Sequence, residues 1–560
     1  MSGGKYEPTK GDYLVYSKDV GGNEFGQLYS LNLKSLESTL LTDGGKSQNS
    51  DVTWKKDGSG FYFSSTKRNG GDRDIYYMDI NNPKSTKPIL QVKGGGWGIG
   101  ELSSDGKKLL VEESISANES HLWMLDLETS QLSEVTNRTD KSIVQYKSKF
   151  KANPNEIWFV TDKDNEFQRL ASMDLKSKKI TYYTSAIPWD VTSYTQTEDK
   201  TKLAFVTNEG GVNKLYLMDV VSKKFNEVKN IPIGSIGSIT FTKNGKSLFF
   251  NQSTADSSSD VYQLNLTSSE IVRWTESELG EMQKEDMSKP KLIEWKSFDK
   301  MKISGFYYPA SAKFSGKRPV IIQIHGGPES QSAASFLGPN NYYTNEMGIS
   351  IIYPNVRGSS GFGKTYIAKD NGFLREDSVK DIGALIDWIA MQPELDKDRV
   401  MIMGGSYGGY MTLATAFHFA DRIRCSVDIV GISNFNTFLK NTEEYRRDLR
   451  RVEYGDERNP KMYAFLDKIA PLNNTEKIKK PMFIIQGTND PRVPLTEALQ
   501  MRDKLKTQGN TVWYLEAKDE GHGFKKNQMW IFSVWQLSSL WKLIYSTNYE
   551  YNRYYRNHWS

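Results

Sequence analysis

Six similar segments recur through the first half of the chain, at a spacing of about 46 residues that is typical of propeller repeats. Apolar and polar residues alternate in each, as in a half-buried β-strand, and most follow a second strand-like segment and a turn. The pattern predicts a β-propeller of four-stranded blades, and six evenly spaced copies disfavour the alternative, a β-sandwich with chance similarity. The segments are 28–33, 75–80, 122–127, 170–175, 215–220 and 261–266.

Two of the segments are preceded by the same tripeptide. Asn23-Glu24-Phe25 opens the first, and Asn165-Glu166-Phe167 opens the fourth. This local copy supports the interpretation of the first half as a repeat protein.

The second half contains a strand, a tight turn and a helix in immediate succession. An apolar run leads into G-G-S-Y-G-G at 404–409, and a helical pattern follows at 411–420. This is the G-x-S-x-G nucleophile elbow in its required context, and it predicts Ser406 as a nucleophile. The turn is expected to require the glycines that stand at Gly404 and Gly408, because larger side chains there would collide with it. A serine nucleophile also needs a base and an orienting acid.

The acid and the base are both found downstream of the serine. The apolar run 481–487 predicts a buried strand, and the loop after it offers Asp490. The run 511–516 predicts the next strand, whose following loop offers His522. The chain order Ser, Asp, His is that of α/β-hydrolases. Asp519 is a rival acid, but it lies too close to His522 in sequence to match the usual strand-end position.

A glycine-rich loop provides candidate donors for an oxyanion hole. The apolar run 318–324 predicts a strand that ends in H-G-G-P at 325–328. Backbone N–H groups must point at the developing negative oxygen, and glycines allow a substrate to approach them. We expect the N–H groups of Gly327 and Tyr407 to form the hole. The alternative is that H-G-G-P is a plain turn.

These motifs together define the organisation of the chain. Its length of 560 residues suits two domains. We predict a β-propeller domain at 1–285 and an α/β-hydrolase catalytic domain at 286–560.

Five segments of the catalytic half also carry a family resemblance. Together they resemble the prolyl oligopeptidase family of serine peptidases, in particular its acylaminoacyl-peptidase-like and dipeptidyl-aminopeptidase-like branch. The resemblance is strong from residue 292 to about 545 and extends to the architecture of the first half. The motifs are G-G-S-Y-G-G-Y at 404–410, H-G-G-P at 325–328, N-D-P-R-V-P at 489–494, D-E-G-H-G-F at 519–524 and N-V-R-G-S-S-G-F-G at 355–363.

The resemblance implies further features. An arginine two residues after the catalytic Asp binds a substrate carbonyl in this family, and that position is Arg492 here. The alternative for Arg492 is a structural ion pair. Family propellers usually have seven blades, sometimes eight, and an N-terminal extension. Only six units are found, so either a blade is missing or the propeller has six blades.

The expected function is that of a serine peptidase acting on short peptides through an acyl-enzyme. The resemblance implies that the propeller excludes folded proteins. Two alternatives remain: an esterase acting on small acyl esters, and a non-catalytic propeller binding protein. Dipeptidyl peptidases of the family hold the substrate amine with paired glutamates, but Glu112-Glu113 lies at a strand end and indicates ordinary surface. Aminopeptidase, acylaminoacyl-peptidase and endo-oligopeptidase specificities therefore stay open.

The composition of the chain indicates which kinds of binding partner to expect. The chain has 73 Lys+Arg and 68 Asp+Glu, and the net charge of +5 is too small to predict nucleic-acid binding. No apolar run is long enough to span a membrane. The five scattered histidines and the lack of a P-loop predict no metal and no cofactor. Short peptides are the expected partners, and homo-oligomerisation stays open. The expected compartment is the cytoplasm, or the periplasm or exterior if an N-terminal signal was removed.

Two further features concern single residue types. Cys425 is the only cysteine, so no intrachain disulfide can form. The arginines at 446, 447, 450 and 451 predict a solvated helix face or a lid element. The alternative is a contact for acidic substrate groups.

Overall fold

The first half of the molecule is a β-propeller. In the computed structural model, which describes residues 2–526, six antiparallel sheets follow one another, each built from four consecutive strands. The repeated segments of the sequence form the third strand of each sheet. The strands are β1 (Ser2–Tyr6), β2 (Tyr13–Lys18), β3 (Gln27–Asn32), β4 (Ser38–Leu40), β5 (Asn49–Trp54), β6 (Gly60–Ser65), β7 (Asp74–Asp79), β8 (Asn82–Leu90), β9 (Trp97–Leu102), β10 (Lys108–Ser116), β11 (Glu119–Asp126), β12 (Leu132–Glu134), β13 (Gln145–Phe150), β14 (Glu156–Thr161), β15 (Arg169–Asp174), β16 (Ile180–Tyr182), β17 (Asp190–Gln196), β18 (Lys202–Glu209), β19 (Val212–Asp219), β20 (Phe225–Glu227), β21 (Gly234–Phe241), β22 (Ser247–Thr254), β23 (Ser257–Asn265) and β24 (Ile271–Arg273).

Neighbouring blades pack through apolar clusters. Phe61 and Phe63 of the second blade, for example, pack with Val15 and Leu28 of the first. Similar clusters fill each of the five successive junctions from blade one to blade six. Within residues 2–526, none of these clusters joins blade six to blade one, and no strand from late in the chain completes the first sheet. The propeller therefore has six blades here, and its last junction lacks the core that the other five have.

The second half contains an eight-stranded sheet in the order β25-β26-β28-β27-β29-β30-β31-β32, parallel from β28 to β32. Helices connect these strands. The elements are β25 (Lys291–Lys296), β26 (Lys302–Tyr308), β27 (Arg318–Ile324), α1 (Asn341–Asn345), β28 (Ser350–Asn355), α2 (Lys364–Ile367), α3 (Asp377–Ala390), β29 (Leu395–Gly405), α4 (Tyr407–His418), β30 (Cys425–Ile429), α5 (Phe435–Asn441), α6 (Glu444–Tyr454), α7 (Pro460–Ile469), β31 (Met482–Gly487), α8 (Leu495–Thr507) and β32 (Val512–Ala517).

The parallel strands are apolar on both faces because both faces are covered. Ile322 and Ile402 belong to the cluster on one face, whereas Ile321 and Met401 belong to the cluster on the other. This explains the uninterrupted apolar runs of the sequence. The chain is thus a β-propeller followed by an α/β-hydrolase domain, as predicted.

A connecting segment joins the two folds. The sixth blade ends at Arg273 and the large sheet begins at Lys291, so the proposed division between 285 and 286 lies in the connecting segment. The part of the predicted catalytic domain from 527 to 560 lies outside the described residues. None of the helices within residues 2–526 is long and apolar enough to cross a membrane.

All six blades contact the hydrolase domain, either at its loops or at the beginnings of α2 and α6. At Gly22 and Gly95, glycine lets the two backbones approach closely. In blade order, the contacts are Gly22 with Gly521, Gly71 with Glu444, Gly95 with Tyr445, Glu166 with Thr365, Asn208 with Gln331 and Ser253 with Phe336. The propeller therefore covers the loops at one edge of the large sheet.

The interpretation of Glu112-Glu113 as ordinary surface is wrong. The Glu113 side chain is buried, and Arg138 donates two hydrogen bonds to its carboxylate. Glu112 accepts hydrogen bonds from the backbone N–H and the hydroxyl of Ser148 in the next blade. Both carboxylates are thus occupied by partners within the propeller, and Glu112 connects blade three to blade four, which a local sequence pattern cannot reveal.

Candidate active site

Ser406 occupies a strained turn between β29 and α4. Its backbone has φ +61° and ψ −121°, which non-glycine residues rarely adopt and which tends to persist at functional sites. The Ser406 N–H donates to the carbonyl of Ile429 at 2.9 Å, which fixes the turn. Helix α4 begins four residues earlier than the predicted pattern and ends at His418, because Phe419 leaves helical backbone geometry.

The two glycines expected to be required are closely surrounded. A Cβ on Gly404 would collide with the carbonyl of Gly408, and a Cβ on Gly408 would collide with the carbonyl of Ile324. The elbow thus packs directly against the end of β27. Gly405, in the same turn, has its nearest neighbouring atom 3.7 Å from an added Cβ.

Asp490 and His522 are brought together at the ends of β31 and β32. Asp490 Oδ2 lies 2.7 Å from His522 Nδ1. Asp490 Oδ1 accepts backbone hydrogen bonds from Arg492 and Val493, at 2.8 and 3.0 Å. The rival Asp519 is paired with Lys526 and does not contact His522. Because β29, β31 and β32 run parallel in one sheet, the loops carrying the three predicted triad residues lie at the same edge.

The H-G-G loop lies beside the serine. An added Cβ on Gly326 would stand 3.1 Å from Ser406 Cβ and 3.8 Å from its Oγ. Gly327 has φ +121°, and its carbonyl accepts a hydrogen bond of 2.7 Å from the Tyr454 hydroxyl. Tyr407 is the first residue of α4, so its N–H has no intrahelical acceptor. The roles of Gly327 and Tyr407 as oxyanion donors stay proposals.

His325, at the start of the same loop, is engaged in holding it. Its Nδ1 lies 2.8 Å from the Gly326 carbonyl and its Nε2 lies 2.9 Å from Ser359 Oγ. Burial lowers the pKa of His325, which disfavours its charged form. The N-V-R-G-S segment of the sequence therefore supports the loop through Ser359.

A buried polar network supports the elbow from behind. The Tyr407 hydroxyl donates to Asp370 Oδ2 at 3.0 Å, and Arg375 Nη1 donates to the same oxygen at 2.7 Å. Burial raises the pKa of Asp370 to about 6, and the Arg375 guanidinium opposes that rise. The Tyr407 ring stacks on that of Tyr454, which holds the H-G-G loop. The network therefore connects the elbow to the glycine loop.

Arg492 reaches towards the propeller. Its Nε donates to Glu24 Oε2 at 2.7 Å, across 468 residues of sequence. The contact makes an ion pair between the domains, and half of the side chain remains exposed (45%). Arg492 therefore makes a structural ion pair, which was the alternative to substrate binding. The ion pair uses Nε, so the two Nη groups are left for the proposed contact with a substrate carbonyl.

The two matching tripeptides have a shared role that the sequence did not reveal. Glu24 contacts Arg492, and Glu166 accepts hydrogen bonds from the backbone N–H (2.7 Å) and hydroxyl (2.8 Å) of Thr365. Both glutamates therefore attach a blade to the hydrolase domain. The repeated tripeptide was the available signal, but its partners lie hundreds of residues away.

The prediction that the arginines of helix α6 form a solvated face is wrong. The Nε atoms of Arg446, Arg447 and Arg450 are buried. Arg450 Nη1 bonds Glu329 at 2.9 Å and Glu453 at 2.7 Å. The helix lies over the H-G-G loop, so the prediction of a lid element describes its position better.

A propeller facing the nucleophile elbow of an α/β-hydrolase domain defines a class of two-domain hydrolases. Two family models match the chain: the prolyl oligopeptidase N-terminal β-propeller domain over residues 2–277, and the prolyl oligopeptidase family over residues 335–536. The chain belongs to the prolyl oligopeptidase family.

Individual relatives agree with this assignment. Dipeptidyl aminopeptidase BIII of Pseudoxanthomonas mexicana is 36% identical over 37% of this chain and 30% of its own length. Dipeptidyl peptidase family member 6 of Caenorhabditis elegans is 35% identical over 37% of this chain and 29% of its own length. The match thus spans less than a third of either relative. A solved prolyl endopeptidase structure superposes with a TM-score of 0.86 at 16% identity, covering 97% of this chain and 81% of that one, and has the same fold.

Proposed function

We propose that the protein is a serine peptidase that hydrolyses short peptides. The observation that carries the proposal is the 2.7 Å contact of Asp490 with His522 at the sheet edge where Ser406 stands in a strained turn. A nucleophile, a base and an orienting acid are the groups that acyl transfer requires. The relatives described above are named as peptidases, which supports peptides over small esters as substrates.

The proposed mechanism uses these residues in sequence. His522 removes the Ser406 proton as the hydroxyl oxygen attacks the peptide carbonyl, and Asp490 stabilises the charged imidazole. The N–H groups of Gly327 and Tyr407 bind the developing oxyanion. The amine leaves with a proton from His522, and water then hydrolyses the acyl-enzyme. These steps use only protein groups and water.

The variant Ser406→Ala tests the proposal. Loss of a triad nucleophile typically costs on the order of a million-fold in kcat, whereas the fold should be unchanged. Hydrolysis of short chromogenic peptides should vanish while the melting temperature stays close to that of the wild type. Peptide hydrolysis within tenfold of the wild-type rate would refute the assignment.

The subsite specificity is a separate question within this function. A panel of chromogenic peptides with a free amino terminus, with an acylated amino terminus and with the scissile bond internal distinguishes aminopeptidase, acylaminoacyl-peptidase and endo-oligopeptidase activity. Each class predicts preference for one group of the panel.

A further inference from the structure

One face of helix α6 is directed at the predicted oxyanion loop. Arg446, Arg450 and Tyr454 follow each other at four-residue spacing, so their side chains share that face. The Tyr454 hydroxyl lies 2.7 Å from the Gly327 carbonyl, and Arg450 Nη1 lies 3.5 Å from it. Arg446 stands one turn before Arg450 on the same side of the helix.

The two arginines whose charges act on Arg446 both have carboxylate partners. Arg450 pairs with Glu329 and Glu453, and Arg492 pairs with Glu24. Arg446 differs: within residues 2–526 its guanidinium makes no ion pair and no side-chain hydrogen bond, although its Nε is buried. A guanidinium carries five donors, and leaving a buried charged donor unpaired is costly.

The neighbours of Arg446 increase this cost. Burial lowers the pKa of Arg446 to about 10, and the positive charges of Arg450 and Arg492 act in the same direction. Those two guanidiniums are therefore close enough to repel it. Arg492 is adjacent to the predicted triad, because its backbone N–H bonds Asp490. The uncompensated positive charge thus lies next to the site of the proposed chemistry.

We propose that Arg446, the arginine without a carboxylate partner, binds a carboxylate of the peptide substrate. The inference rests on the proposed peptidase function and extends it to substrate choice. A planar guanidinium matches a carboxylate with two parallel hydrogen bonds, and a substrate carboxylate would supply the partner that Arg446 lacks. A peptide has two sources of this group: an acidic side chain near the scissile bond, or its own C-terminus.

Matched peptides test the proposal and separate the two sources. One set compares Glu with Gln at each position around the scissile bond, and the other compares a free C-terminus with a C-terminal amide. In the wild type, the carboxylate peptide of at least one set should have a kcat/KM about 10- to 100-fold higher than that of its neutral counterpart, as expected for a hydrogen bond to a charged group. Preference in the first set identifies a side chain, and preference in the second identifies the terminus.

Arg446→Gln should bring that ratio to about one, because the carboxylate then loses its guanidinium partner. Arg458→Gln is the matched control, because it removes the same charge from an exposed side chain (64%) and should keep the ratio. A structural arginine would lower the melting temperature when replaced, whereas relief of like-charge repulsion should leave it equal or higher. Equal wild-type rates for all pairs, or an unchanged ratio in Arg446→Gln, would overturn the inference.

A binding measurement keeps the inference independent of catalysis. In the Ser406→Ala background, calorimetry compares the affinity of the same acid and amide peptides with and without Arg446→Gln. A tenfold loss of affinity for the acid peptide alone supports the carboxylate site even if no peptide is cleaved, in which case only the proposed peptidase function fails. Equal affinities for acid and amide peptides in the parent Ser406→Ala protein refute it.

Discussion

At the residue scale, the Asp490 carboxylate is held from several directions. Two backbone N–H groups bind one oxygen, and His522 faces the other. An orienting acid fixed in this way sets which nitrogen of the imidazole carries the proton. Of the two backbone donors, one belongs to Arg492, whose side chain pairs with the propeller. The position of the acid is thus connected to the contact between the domains.

Arg492 can be tested against its structural alternative. If its guanidinium holds a peptide carbonyl, Arg492→Ala should weaken peptide hydrolysis about ten- to a hundredfold, the cost of a hydrogen bond to a charged group. Hydrolysis of a p-nitrophenyl ester should change much less, because a small ester has no such carbonyl. The measurement is kcat/KM on both substrates.

The paired variant Glu24→Gln is the control for Arg492. It removes the ion pair between the domains but keeps the arginine. If Glu24→Gln reproduces the losses of Arg492→Ala, or if Arg492→Ala affects both substrates equally, the arginine only braces the interface.

A buried carboxyl in the fifth blade gives a pH-dependent prediction. Burial, with a smaller contribution from Glu166, raises the pKa of Asp190 to about 6 from 3.8. An acid with a raised folded pKa stabilises the fold when protonated, and this contribution disappears as pH rises through about 6. Asp190→Asn should therefore stabilise the protein at pH 8, by at most about 3 kcal/mol at 1.36 kcal/mol per pKa unit, and bring no gain below about pH 4.

Chemical denaturation at pH 8 and pH 4 measures this difference. Asn can still accept the Gln168 N–H hydrogen bond that Asp190 accepts at 2.8 Å, so the substitution isolates the charge. An equal effect of Asp190→Asn at both pH values would contradict the prediction.

At the element scale, the elbow depends on how closely α4 approaches the end of β27. Gly408 is in contact with the carbonyl groups of Ile324 and His325, and an added Cβ would lie 2.8 Å from the latter and closer still to the former. Neither carbonyl can move without displacing the H-G-G loop. The glycine is therefore required by packing between two elements.

Gly408→Ala should destabilise the protein by about 3 kcal/mol or more, because overpacking here acts on backbone atoms. Gly405→Ala in the same turn should change stability by no more than about 1 kcal/mol, since the nearest atom is 3.7 Å from its added Cβ. Denaturant unfolding of both variants measures the contrast. Similar losses for the two would mean that the whole turn, and not this contact, limits stability.

At the scale of the whole molecule, the propeller forms one wall of the site. Every blade contacts the hydrolase domain, and the close approach of Gly22 to Gly521 lies immediately beside His522. A long chain would need to pass this wall to reach Ser406. The junction between blades one and six is the weakest part of the ring, because the described residues provide no apolar cluster there.

Size selection follows from this arrangement. The protein should cleave a short peptide and spare an unfolded protein of several hundred residues that contains the same peptide sequence. Mass spectrometry of both substrates at equal molar concentration measures the difference, and Ser406→Ala identifies any contaminating protease. Rapid cleavage of the long chain would mean that the propeller does not filter substrates.

Much of the architecture could be predicted from local patterns. Propeller blades repeat a short pattern, so the third strand of each blade is visible in the sequence as an alternating segment. The elbow and the loops with Gly327, Asp490 and His522 each follow an apolar strand directly. Parallel strands place their carboxyl ends at one sheet edge, so strand context alone brings these loops together. The family then supplied a hypothesis for Arg492.

The pairing of charged groups was decided only by the tertiary structure. Glu24 and Arg492 are 468 residues apart and meet because the propeller packs on the hydrolase domain. In helix α6, the Nε of Arg446 is buried without a partner in residues 2–526, where the sequence indicated solvated arginines. Periodicity determines local backbone and which face is buried, because those depend on neighbours along the chain. The partner of a charge depends on distances between elements far apart in sequence, and only the folded chain sets them.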